Sequence, residues 1–224
     1  MSWLARARPP VLADDADRLY GIHWWGHSQG YPVETGPKAL LDVPAYSAWD
    51  TETVVTHSAS WGKASYFTDL CQTLYGWNVT LITRVDYTWE ETIPAPSDPN
   101  YSSWPSVVVS DAVNVLYNQS HLWIVGNEPN ILTAEGGRWP DRKIPPADYA
   151  TTYRNVWNAV HQSGNVGPPG QHIVLLAGPS PGPAEGIRWT VGTEYLSQVL
   201  DNLSPSEVDG FAIHATFSPP STRQ

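Results

Sequence analysis

Short apolar runs and helix-spaced apolar faces take turns along this chain, and that alternation constrains its fold more than any single motif does. "LYGIHWW" (residues 19–25), "TETVVTH" (51–57), "NVTLITRVDY" (78–87), "HLWIVG" (121–126), "HIVLLAG" (172–178) and "VDGFAIHA" (208–215) read as strands, rich in β-branched and aromatic residues. Between them, Phe67, Leu70, Cys71 and Leu74 fall at i, i+3, i+4 and i+7, the spacing of one helical face. Val109, Ala112, Val113 and Leu116 repeat that pattern, as do Tyr149, Tyr153, Val156, Trp157 and Val160, and then Tyr195, Leu196, Val199, Leu200 and Leu203. Strands alternating with helices predict an α/β fold built on a parallel sheet with right-handed crossovers. Near-continuous apolar strands predict cover on both faces of that sheet.

The count is about six β/α units. A chain of 224 residues with 41% hydrophobic and only 15% charged residues is expected to fold, as a single domain over 1–224. The net charge of −10, with no Lys/Arg cluster, disfavours nucleic acid and anionic membrane as partners. One cysteine, Cys71, excludes an internal disulfide, and its place on a helical packing face predicts an inert core thiol. The first residues, "MSWLARARPPVLADDADRLYG", show no apolar signal-peptide core, and no apolar run reaches the roughly 20 residues that span a bilayer. The expectation is a soluble protein, with secreted and cytoplasmic locations both open.

Polar residues gather just after the strands. They are His23 and Trp24, Arg84 and Asp86, Asn127 and Glu128, and His214. In a β/α barrel the C-terminal ends of the strands are where chemistry is built. The first strand leads into "GIHWWGHSQG", with two tryptophans where a phosphate would need bare backbone, so no dinucleotide fold and no cofactor is expected. The "HLWIVGNEPN" segment sets a carboxylate between an asparagine and a proline, which by itself is also an ordinary turn. The aromatic balance is unusual, with 12 Trp and 11 Tyr against 3 Phe. Rings with a flat apolar face and a polar edge suit a surface on which sugars lie, and they equally suit a core whose polar edges find partners.

"WIVGNEPN" on the fourth strand resembles the acid/base signature of clan A glycoside hydrolases, retaining glycosidases on (β/α)8 barrels. "GFAIHA" is similar to that clan's sixth-strand segment, and "RVDYTWEETIP" to the third strand of a bacterial branch of glycosidases. The resemblance runs over about 19–217 and implies a TIM-type (β/α)8 barrel acting on O-glycosidic bonds of a carbohydrate. It implies Glu128 as general acid/base, its carboxyl tuned to be protonated before attack and ionised after it. It implies Asn127 as a partner of the sugar 2-hydroxyl, Arg84 and His214 as orienting the partner carboxylate, these two and His23 as substrate-binding, and Trp24, Trp25 and Trp89 as stacking surfaces. Each keeps a plainer alternative: Arg84 pairing with Asp86, His214 a core histidine, the tryptophans packed between loops.

The chain departs from that pattern at its end. The clan's nucleophile is a Glu on strand seven, while here "TFSPPSTRQ" follows strand six directly. The expectation is an incomplete barrel, truncated after strand six, whose catalysis alone is in doubt. Glu34, Glu90, Glu91, Glu135 and Glu185 fall in predicted loops as possible substitutes. A retaining pair needs its carboxyl groups about 5–5.5 Å apart, which a loose loop meets poorly. Two rival readings stay open: a non-catalytic carbohydrate-binding barrel, and a metal-dependent hydrolase using His23, His27, Asp86 and His214. The second is disfavoured, because "HWWGH" spaces its histidines by four where a strand end alternates by two, so no metal is expected. Six strands also leave two edges, which residues 3–12 or a second copy in a twofold dimer would cover.

Overall fold

The computed structural model describes residues 20–22, 48–58, 62–76, 79–132, 138–165, 171–181 and 190–214. Six strands form one sheet: β1 (Tyr20–Ile22), β2 (Ala48–Val55), β3 (Val79–Asp86), β4 (Ser120–Val125), β5 (Ile173–Leu176) and β6 (Gly210–Phe211). They lie side by side in chain order, and every pairing is parallel. Sequential parallel neighbours with helical crossovers are the construction of a TIM-type barrel, here with six strands and, among the described residues, four crossovers. Each predicted strand exists. The sixth shrinks from 208–215 to two residues because it pairs on one side only, with β5.

Among the described residues, four helices cover the sheet. Helix α1 is Thr68–Gly76, and α2 joins Trp104–Val108, a π-helical Val109–Val113 and Asn114–Leu116. Helix α3 is Pro146–Gln162, opened by a proline at its first position, where the missing N–H has no intrahelical partner to lose. Helix α4 is Gly192–Asp201. Leu74, Leu116, Val156 and Val199 meet Val54, Leu81, Val85, Trp123, Val125, Val174 and Leu176 in one apolar cluster. Each fully buried aliphatic side chain there contributes about 2 kcal/mol relative to exposure. Cys71 lies in that cluster as expected, with burial pushing its thiol well above the ordinary range.

The expected cover on both faces is only partial: opposite the helices Thr53, Val55 and Asp86 are buried, but other residues of that face are less so. The residues alternating with the core set (Ile82 and Arg84, Leu122 and Ile124, Ile173 and Leu175) are only half-buried. Their face is the one that a closed barrel turns inward. At the β6 edge, Phe211 is 46% and Ile213 74% exposed, so this edge carries uncovered apolar surface. The expected cover by residues 3–12 concerns residues outside those described.

Among the described residues, part of the aromatic content goes into the core. Trp104, Trp123 and Trp139 are buried, and each indole N–H has a partner: the Thr56 hydroxyl at 2.9 Å, His172 Nδ1 at 3.0 Å and the Ile93 carbonyl at 3.1 Å. Tyr149, Tyr153 and Tyr195 likewise place their hydroxyls on backbone. Ring bulk fills the layer, and the polar edges satisfy groups that Phe would leave bare.

Candidate active site at the ends of β4 and β6

The backbone leaving β4 turns sharply. Gly126 has φ +81°, a conformation that L side chains rarely adopt, and its N–H still donates to the Val85 carbonyl at 2.8 Å. Two residues on, Glu128 also lies in the left-handed region, at φ +34°. A non-glycine residue held there costs about 1–3 kcal/mol and persists only when its surroundings fix it. Several contacts do. The Ile131 N–H donates to the Glu128 carbonyl at 3.0 Å, and the Asn127 N–H donates to the Thr92 hydroxyl. Fully buried Asn130 donates to the carbonyls of Ser180 and Thr190 and accepts from the Ser180 N–H, tying this turn to the segment after β5.

Glu128 presents its carboxylate to His214, which follows β6. Oε1 and Nδ1 are 2.7 Å apart, with side-chain exposures of 23% and 37%. The two residues reach each other across β5, so both side chains occupy the same face at the C-terminal end of the sheet. Gly178, just past β5, makes room, because a Cβ there would stand 3.0 Å from the His214 ring. The arrangement is a partly exposed carboxyl group hydrogen-bonded to an imidazole at the C-terminal end of the sheet. Chemically it can give or take a proton at Glu128 Oε1 or Oε2.

The other expected residues divide. Arg84 pairs with Asp86 at 3.0 Å, the plainer of its two readings. Burial raises the Asp86 carboxyl, against the opposing pull of Arg84 and the Thr92 hydroxyl, which donates to it at 3.3 Å. Trp89 is 36% exposed, and its ring lies where a Cβ on Gly62 would come within 2.7 Å of it. Glu91 is no mobile loop carboxylate: it is buried, accepts the Ala95 N–H at 3.2 Å, and is raised by that burial. Glu90 is exposed. His23, His27, Trp24, Trp25, Glu34, Glu135 and Glu185 lie outside the described residues. Among the described residues no group of three His, Cys, Asp or Glu side chains is arranged to hold a metal ion.

Thr92, Asn130 and Gly178 escape sequence reasoning. Their partners lie far along the chain: Thr92 meets Asn127, 35 residues on, and Asn130 meets Ser180, 50 residues on. No local pattern marks a threonine or a second asparagine for such a role.

No family model matches the chain, and no curated protein matches it in sequence. In structure it is similar to a solved fungal beta-1,4-galactanase, with a TM-score of 0.60 and 17% sequence identity. The likeness covers 88% of this chain and 63% of the galactanase chain, so the chain spans less than two thirds of that protein's length.

Proposed function

We propose that this chain is a glycosidase-type β/α barrel domain that binds a carbohydrate at the C-terminal end of its sheet, with Glu128 as general acid/base. The observation that carries the reading is the Glu128–His214 contact, in which a carboxyl group from the end of β4 meets an imidazole from the end of β6 at 2.7 Å. The fold shared with a fungal beta-1,4-galactanase supports it, as does the Asn-Glu order at the fourth strand. Protonated, Glu128 gives its proton to the glycosidic oxygen as the bond breaks. Ionised, it takes a proton from the incoming water. Asn127 would hydrogen-bond a sugar hydroxyl, and Trp89 would offer its exposed face to the C–H face of a sugar ring.

A retaining mechanism also needs a nucleophilic carboxylate about 5–5.5 Å from the acid/base. Among the described residues the side-chain partner of Glu128 is His214, and Glu91 is engaged elsewhere. The reading therefore separates binding from turnover. Titration of the chain with oligosaccharides of galactan, glucan, xylan and mannan, followed by NMR, should give saturable shifts at Glu128 and His214 with at least one of them. Glu128→Gln should keep that binding, and aryl glycosides should be hydrolysed negligibly by this chain alone. Absence of binding to every sugar would overturn the reading. Robust turnover that Glu128→Gln abolishes would show that another carboxylate supplies the nucleophile.

A further inference from the structure

We propose that Thr92 is the positioning residue of this site: its buried hydroxyl, oriented by Asp86, holds the β4 turn so that Glu128 faces His214. The inference rests on the reading of Glu128 as the acid/base and adds to it the device that aims the group.

The geometry is a short relay. Arg84 and Asp86 pair at 3.0 Å at the C-terminal end of β3, which fixes the Asp86 carboxylate. The Thr92 hydroxyl, on a residue only 1% exposed, donates to Asp86 Oδ1 at 3.3 Å. A hydroxyl has one proton to give, so a carboxylate on one side turns its lone pairs to the other. There the Asn127 N–H donates to Thr92 Oγ1. The same oxygen occupies the place of a side chain on Gly126, since a Cβ there would lie 2.6 Å from it. Thr92 therefore requires glycine at 126 and captures the amide at 127. Both constraints act immediately before Glu128, whose left-handed backbone (φ +34°) needs such fixing to persist.

Valine is close to threonine in size but lacks the hydroxyl, and serine keeps the hydroxyl but lacks the methyl group. In Thr92→Val the Asn127 N–H loses its acceptor inside the protein. The turn relaxes, and Glu128 swings away from His214. In Thr92→Ser the relay survives. A merely space-filling Thr92 would show the opposite ranking, with valine tolerated and serine disruptive.

NMR on the intact chain reads this directly. In the wild-type protein the Asn127 amide should exchange slowly with solvent, and the His214 Nδ1 signal should report its bond to Glu128. Thr92→Val should speed Asn127 exchange about tenfold, the scale of one lost hydrogen bond. It should also move the His214 Nδ1 signal to the position seen in Glu128→Ala, while Thr92→Ser stays at the wild-type position. A Thr92→Val variant that folds with His214 unmoved overturns the proposal. So does fast Asn127 exchange in the wild-type protein, a measurement that needs no variant to fold. Failure of the wild-type chain to bind any sugar would count against the function proposed for Glu128, and the Thr92–His214 coupling would still be read independently.

Discussion

Glu128 combines a strained backbone with a specific side-chain partner, and at this scale the sequence was only partly legible. Asn127, Glu128 and His214 stand at strand ends in a recognisable order, so their grouping is readable from the chain. What lets them meet is not. Gly178 leaves the space through which His214 reaches across β5, and nothing in "LLAGPS" distinguishes that glycine from any strand-ending one. A Cβ at 178 would stand 3.0 Å from the imidazole and 3.1 Å from backbone at 212 and 214. Gly178→Ala is therefore expected to shift His214 by a few tenths of an ångström or more and to break its bond to Glu128. The overpacking should cost about 1–3 kcal/mol, visible as a lower denaturation midpoint. The His214 ring signals should move while those of distant helices stay in place.

The elements are held together by tyrosine and tryptophan edges as much as by aliphatic contact. Tyr149 on α3 donates to the Val125 carbonyl at 2.7 Å and accepts the Ala177 N–H at 2.7 Å, pinning the ends of β4 and β5 to one helix. Tyr149→Phe keeps the ring and leaves a buried carbonyl and a buried N–H without that partner. Its expected cost is about 1–3 kcal/mol at an unchanged urea m-value, measured by equilibrium unfolding. Helix and strand order was legible because apolar spacing alone carries it. Tyr149 was visible as a member of an apolar face, but its hydroxyl partners lie 24 and 28 residues away and leave no local trace. The thinner cover of the second face was likewise invisible. A run such as "IVLL" reads as doubly covered, yet Ile173 and Leu175 are half-buried on a face that six strands do not enclose.

At the scale of the whole molecule, two buried titratable groups set opposing pH limits on stability. Glu52 sits on the helix-covered face of β2, 1% exposed. Burial first, and then the charge of neighbouring Asp50, raise its carboxyl from 4.5 to about 9. The folded chain thus holds a proton that the unfolded chain has lost, and stability falls as pH rises from 4.5 through about 9. His172, also buried, is lowered from 6.5 to about 4, mainly by burial and further by His121 and His161. Here the unfolded chain binds the extra proton, so stability falls as pH drops from 6.5 through about 4. Between 4.5 and 6.5 the two slopes oppose each other, and above 6.5 the Glu52 slope stands without that opposition. Thermal unfolding followed from pH 5 to pH 9 should therefore show a midpoint that declines on the alkaline side. Glu52→Gln keeps the size of the side chain and removes its ionisation, so it should flatten that decline and leave the His172 slope unopposed below pH 6.5. An alkaline decline that persists undiminished in Glu52→Gln would assign the proton to a different buried group.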